Sequence, residues 1–95
     1  MLTLPIIREY FDMILSGEKK EEYRDNTPYY KARFRRTMGY ATVVRFRNGY
    51  SKKSRTVECN IIPRIGGGRP EWGAEPDKEY IVLKILSVKE VLADE

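Results

Sequence analysis

The chain contains no histidine and a single cysteine, Cys59. An intramolecular disulfide is therefore impossible, and the histidine and cysteine sets of structural zinc sites cannot be assembled, so no metal and no other cofactor is expected. The missing imidazole also removes hydrolases in which a histidine base activates serine or cysteine. Proton transfer would fall to lysine, carboxylate, tyrosine or a terminal amine. Apolar runs are short and broken by charge, far below the roughly 20 residues of a membrane helix, and no basic, apolar, small-residue succession opens the chain. A cytoplasmic protein without membrane contact is expected. Cys59 stands in an apolar alternation and is expected to be a buried packing residue.

What is present is enough for one core. In 95 residues, 41% are apolar and 12% aromatic, which suits a single domain spanning 1–95. The formal charge of +4 conceals a strong asymmetry: Lys31 to Arg69 holds eleven Lys or Arg against one acid, Glu58, while both flanking segments are net acidic. Such a block attracts phosphate backbones. Its cations are interleaved with Tyr29, Tyr30, Phe34, Tyr40, Phe46 and Tyr50, rings able to stack on bases or to fill a core. A nucleic acid is thus the expected partner, with a solvated basic face as the plain alternative.

Periodicity places the elements. Met1 to Ile6 predicts a short strand ended by Pro5. Ile7, Tyr10, Phe11, Ile14 and Leu15 then recur at helical spacing, and Gly17 stands where a left-handed residue closes a helix. Lys19 to Arg24 reads as extended. Asn26 and Thr27 are N-cap candidates before Pro28, and Tyr30 with Phe34 makes an i,i+4 apolar pair, predicting a short basic helix to about Arg36 with Lys31 and Arg35 outward. Thr42 to Asn48 alternates, with Val44 and Phe46 opposite Arg45 and Arg47, up to the turn dipeptide Asn48-Gly49. A basic loop carrying Tyr50, Lys52, Lys53 and Arg55 leads into a hairpin partner built on Val57, Cys59 and Ile61, ending before Pro63. Gly66 to Asp77 reads as irregular. Glu79 to Val88 is a long strand, with Tyr80, Val82 and Leu86 suggesting burial on its second face. The pattern predicts an α+β, mainly β, small curled sheet or barrel of about five strands with two short helices in the N-terminal half.

The octet Gly17 to Arg24, GEKKEEYR, read as GxKxxExR, resembles the signature of the ASCH (activating signal cointegrator homology) family. The block from Glu71 to Ile85, EWGAEPDKEYIVLKI, is similar to the closing segment of small ASCH proteins. The resemblance implies a PUA-like barrel with a groove between the first helix and the barrel, the signature residues at its wall, and RNA or a modified nucleoside as ligand. Some small members are amidohydrolases that remove acetyl from acetylcytidine, using a lysine at the position of Lys19, a threonine at that of Glu22 and a later glutamate, for which Glu75 is preferred over Glu71. Others are ribonucleases. The resemblance makes Lys19, Glu22 and Glu75 the catalytic candidates, with Glu22 departing from the amidohydrolase threonine.

Chemically, a desolvated Lys19 would have its pKa lowered from about 10.4 and become a base or nucleophile. Glu22 and Arg24, two apart on an extended stretch, share a face and are placed to pair. The binding candidates are Arg24, Arg45, Arg47, Tyr50, Lys52, Lys53, Arg55 and Trp72, the last either stacking on a base or anchoring its loop.

Overall fold

A computed structural model describes residues 1–51 and 53–91. Lys52, a binding candidate, lies outside the described residues. Five strands and two helices follow in the order β1 (Leu2–Ile6), α1 (Arg8–Ser16), β2 (Glu21–Asp25), α2 (Pro28–Phe34), β3 (Thr42–Asn48), β4 (Thr56–Gly66) and β5 (Tyr80–Val91), with a 3-10 turn at Pro70–Trp72 before β5. The strands form one sheet of order β1-β3-β4-β5-β2, in which β1 runs parallel to β3 and the other neighbours are antiparallel. The sheet curls into a half-barrel, mainly β, as the strand pattern predicts. No helix among the described residues is long and apolar enough to cross a membrane.

Local chemistry explains the elements around the cleft. The stripe of α1 buries Phe11 and Ile14, and Gly17, at φ +88°, ends the helix with its N–H on the Ile14 carbonyl. A non-glycine residue would be strained at that φ. The Lys19 N–H then returns to the Met13 carbonyl at 2.9 Å, folding the next residues back under the helix end. In α2, Thr27 accepts from the Tyr30 N–H and Pro28 occupies the first turn, where its missing donor costs nothing. The helix stops at Phe34, with turns over 35–39, so Arg36 lies just past its end. The core closes between Phe11 and Ile14, Phe34, and the inward residues of β3, β4 and β5, including Val44, Phe46, Cys59, Ile61 and Leu83. Cys59 is fully buried, and burial together with neighbouring Glu58 pushes its thiol up to about 12.

Three expectations are corrected. Pro5 does not end β1 but sits inside it, on an edge strand where a missing N–H is tolerated. The hairpin partner does not end before Pro63: β4 runs on to Gly66, paired with β5. Pairing with β3 stops at Ile61, so no ladder on that side demands a donor from Pro63, while its carbonyl accepts from the Gly39 N–H at 2.8 Å. Leu86 is not buried on a second face of β5 but is 47% exposed. Only Tyr80 and Val82 are covered there, by Ala74 of the preceding loop and by Tyr23.

Candidate functional site

The octet spans the end of α1 and the start of β2. Lys19, caught in the return from the helix, points inward and is 1% exposed. Its Nζ donates to the Trp72 carbonyl at 2.7 Å, lies 3.4 Å from Glu22 Oε1, and sits 4.8 Å and 5.0 Å from the ring centroids of Tyr10 and Tyr23. Every one of these neighbours is an acceptor or a π face, so the surroundings favour an ammonium. Burial works the other way and prevails: it holds the Lys19 pKa below the ordinary lysine value, helped by Arg24 and opposed by Glu22 and Glu21.

Alternation along β2 sends Glu22 and Arg24 to one face, where Glu22 Oε2 accepts from Arg24 Nη2 at 2.8 Å. The same Nη2 donates to the Pro5 carbonyl of β1 at 2.7 Å, and Nη1 to the Tyr30 hydroxyl of α2 at 3.3 Å. Arg24 Nε is buried with no hydrogen-bond partner among the described residues. On the alternate positions, Tyr23 donates to Glu21 at 2.7 Å, and Arg64 holds the other Glu21 oxygen at 2.9 Å. Burial and then the Glu21 carboxylate raise the Tyr23 hydroxyl pKa, so the hydroxyl stays protonated near neutrality.

A cleft of about 340 Å³ opens where β1 and β2 approach without pairing, lined by Pro5, Ile6, Ile7, Tyr10, Glu22, Tyr23, Arg24, Asp25 and Tyr30. That is near the lower end of the roughly 300–1,000 Å³ range of small-molecule sites, room for a nucleobase or nucleoside and not for a folded polymer. Its lining sets the Glu22 carboxylate beside the Arg24 guanidinium, among aromatic and aliphatic side chains. Such a pairing suits the donor-acceptor edge of a planar heterocycle.

Of the candidates, the structure brings Lys19, Glu22 and Arg24 together, with Trp72 joined through its backbone. The Trp72 side chain is half-buried beside Arg69, 5.3 Å from ring centroid to guanidinium, and does not line the cleft. Glu75 is exposed and, among the described residues, engages only through its backbone, donating to the Tyr80 hydroxyl and accepting from Gly68. Its carboxylate does not line the cleft. Among the hairpin cations, Arg45 pairs with Glu58 across the β3–β4 register at 3.3 Å and Arg55 with Glu90 at 2.6 Å. Arg47 is half-buried, Lys53 is exposed, and Tyr50 is 87% exposed at the loop. Among the described residues, no group of three His, Cys, Asp or Glu is placed to hold a metal.

The sequence does not single out Pro5, Ile7 or Tyr10 as cleft walls, and it offers Tyr30 only as one of several rings able to stack on a base or fill the core. Tyr10 and Tyr30 both fall on apolar stripes of their helices. The available signal was the hydroxyl each carries, which at an apolar position calls for a polar outlet. Comparison with family models, with curated proteins and with solved structures found no match for this chain.

Proposed function

We propose that this chain is an ASCH-type module on a PUA-like half-barrel, and that its cleft binds a nucleobase or modified nucleoside, free or within RNA, without transforming it. The observation that carries the reading is the Glu22–Arg24 pair at the wall of a cleft between α1 and the sheet, with the buried Arg24 Nε lacking a partner. A buried donor without a partner is costly, and since Arg24 Nε is closed to solvent as it stands, a ligand acceptor would satisfy it after the guanidinium turns toward the cleft. The resemblance of the octet puts these residues at the wall of a groove beside the first helix, and the cleft is lined by Tyr10 of α1 and by Glu22 and Arg24 of β2.

The test is an NMR titration with cytidine, uridine, adenosine and acetylcytidine. Binding in the cleft shifts the amide signals of Ile6, Ile7, Glu22 to Asp25 and Tyr30, and Tyr30→Phe weakens it. Absence of shifts at millimolar nucleoside, or shifts confined to the β3–β4 hairpin, would overturn the reading.

One observation favours a second reading, an amidohydrolase acting on acetylcytidine: burial lowers the Lys19 pKa while its amine touches Glu22, which lines the cleft. Against it, the Lys19 side chain is wholly enclosed and Glu75 stands outside the cleft. Mass spectrometry of acetylcytidine incubated with the parent and with Lys19→Met separates the two readings. Deacetylation by the parent alone would establish the enzyme.

A further inference from the structure

The basic middle of the chain divides into two surfaces that differ in what already holds their charge. On the β3–β4 hairpin, Arg45 and Arg55 are bound to Glu58 and Glu90, while exposed Lys53 forms no ion pair among the described residues. On α2 and the turn after it, Lys31, Arg33 and Arg35 are exposed and form no ion pair with a carboxylate among the described residues. Phosphates approaching Arg45 or Arg55 must compete with fixed carboxylates, whereas those approaching α2 need displace only water and counterions.

The second difference is a chain of planar groups. The Arg33 guanidinium lies over the Tyr29 ring at 3.6 Å from its centroid, one helical turn away. The Tyr29 and Tyr30 rings meet edge to face at 5.0 Å and 89°. Beyond them the Arg24 guanidinium is 5.8 Å from the Tyr30 centroid. Tyr29 is 55% exposed, and Tyr30 is half-buried and lines the cleft. The right angle between the two rings turns the path from the helix surface into the cleft. Bases stack on aromatic faces and on guanidinium planes, and such stacking requires bases that are not already paired.

We infer that single-stranded RNA crosses α2 on a track to the cleft, with Lys31 and Arg35 on one flank of the helix holding phosphates, Arg33 and Tyr29 on the opposite flank stacking an unpaired base, and Tyr30 leading the next base toward Arg24. The inference rests on the proposed nucleobase cleft for its endpoint and replaces the hairpin as the principal RNA surface. An acidic peptide would satisfy the cations but leave the stacked planes unused.

The test measures fluorescence anisotropy of a short, labelled, mixed-sequence single-stranded RNA with the full chain and two charge-matched variants. Lys31→Glu with Arg33→Glu alters the track, and Lys53→Glu with Arg55→Glu alters the hairpin by the same net charge. All four side chains are exposed, and because Arg55→Glu also breaks the pair with Glu90, the thermal transition of each variant is compared with that of the parent first. The track variant is expected to lose at least tenfold in affinity and to flatten the log-log salt slope by about 1.4, two single-strand contacts. The hairpin variant should lose less than threefold. Tyr29→Ala, which changes no charge, should cost about tenfold through lost stacking.

Equal losses from the two charge variants, an unchanged affinity in Tyr29→Ala, or tighter binding of duplex than of single-stranded RNA would each overturn the track. Displacement of the RNA by polyglutamate at comparable concentration would assign the surface to an acidic protein instead. Free-nucleoside titration separates the two ideas: if no nucleoside binds the cleft while the track variants still lose RNA affinity, the track stands and the cleft reading falls.

Discussion

Arg24 on β2 donates to the Pro5 carbonyl on β1 at 2.7 Å, across the seam where the two edges of the five-stranded sheet face each other without pairing. A side chain thus does what a backbone ladder does elsewhere in the sheet, and it leaves room beside it for the cleft. Because the same guanidinium holds Glu22 and Tyr30, it joins β1, β2 and α2. Arg24→Ala should therefore destabilise the fold by about 2 kcal/mol, because Glu22 keeps only Lys19 as a cation and the Pro5 carbonyl loses its donor. Arg24→Lys should recover only part of this, since one ammonium cannot reproduce the fork. Urea denaturation checks both; a loss under 1 kcal/mol for the alanine variant would mean that the seam holds without the bridge.

Lys19 ties the Pro70–Trp72 turn to β2, so truncation should loosen that loop as well as open a cavity. Lys19→Ala is expected to cost about 3 kcal/mol, and Lys19→Met, which refills the volume but leaves the Trp72 carbonyl without its donor, closer to about 1 kcal/mol. Equal costs for the two substitutions would show that the volume does not matter.

The lowered Lys19 pKa sets a pH dependence with a definite sign. Between that pKa and the ordinary lysine value of about 10.4, the unfolded chain holds a proton that the folded chain does not, so stability rises with pH through this window. Below the folded pKa the contribution is lost. The stability of the parent relative to Lys19→Met should accordingly increase toward alkaline pH, with Cys59 cancelling because both chains carry it. Parallel stability curves from neutral pH to about 10 would contradict the assignment.

Gly73 adopts φ +86°, and a Cβ there would come within 2.6 Å of Tyr10 Cζ. Gly73→Ala should cost about 2 kcal/mol and push the turn off α1, weakening the contact from Lys19 to Trp72. Limited proteolysis should then cut between residues 66 and 79 faster than in the parent. Unchanged cleavage would show that the loop is held by other contacts.

Cys59 should resist thiol reagents in the native state, because it is fully buried and its pKa of about 12 leaves almost no thiolate near neutrality. Modification should follow the unfolding rate and accelerate in step with denaturant. Labelling independent of denaturant would indicate local opening of β4.

The one-dimensional pattern determined the element inventory, because helix closure and strand alternation are local. Gly17, Thr27-Pro28 and the Val44/Phe46 and Val57/Cys59/Ile61 alternations carry their signals within a few residues. It also brought Glu22 and Arg24 to one face, a consequence of the two-residue repeat alone. Tertiary structure decided the rest, since those features join residues far apart in the chain. Pro63 looked like a strand end, yet β4 continues through it because β3 has already ended and no partner there requires its N–H. Whether Lys19 faces a ligand or is enclosed depends on a turn more than fifty residues away, whose backbone carbonyl has no residue type to betray it. The same holds for the basic block: its cations are plain in the sequence, but which of them already hold a carboxylate was decided by strand register and by the return of β5.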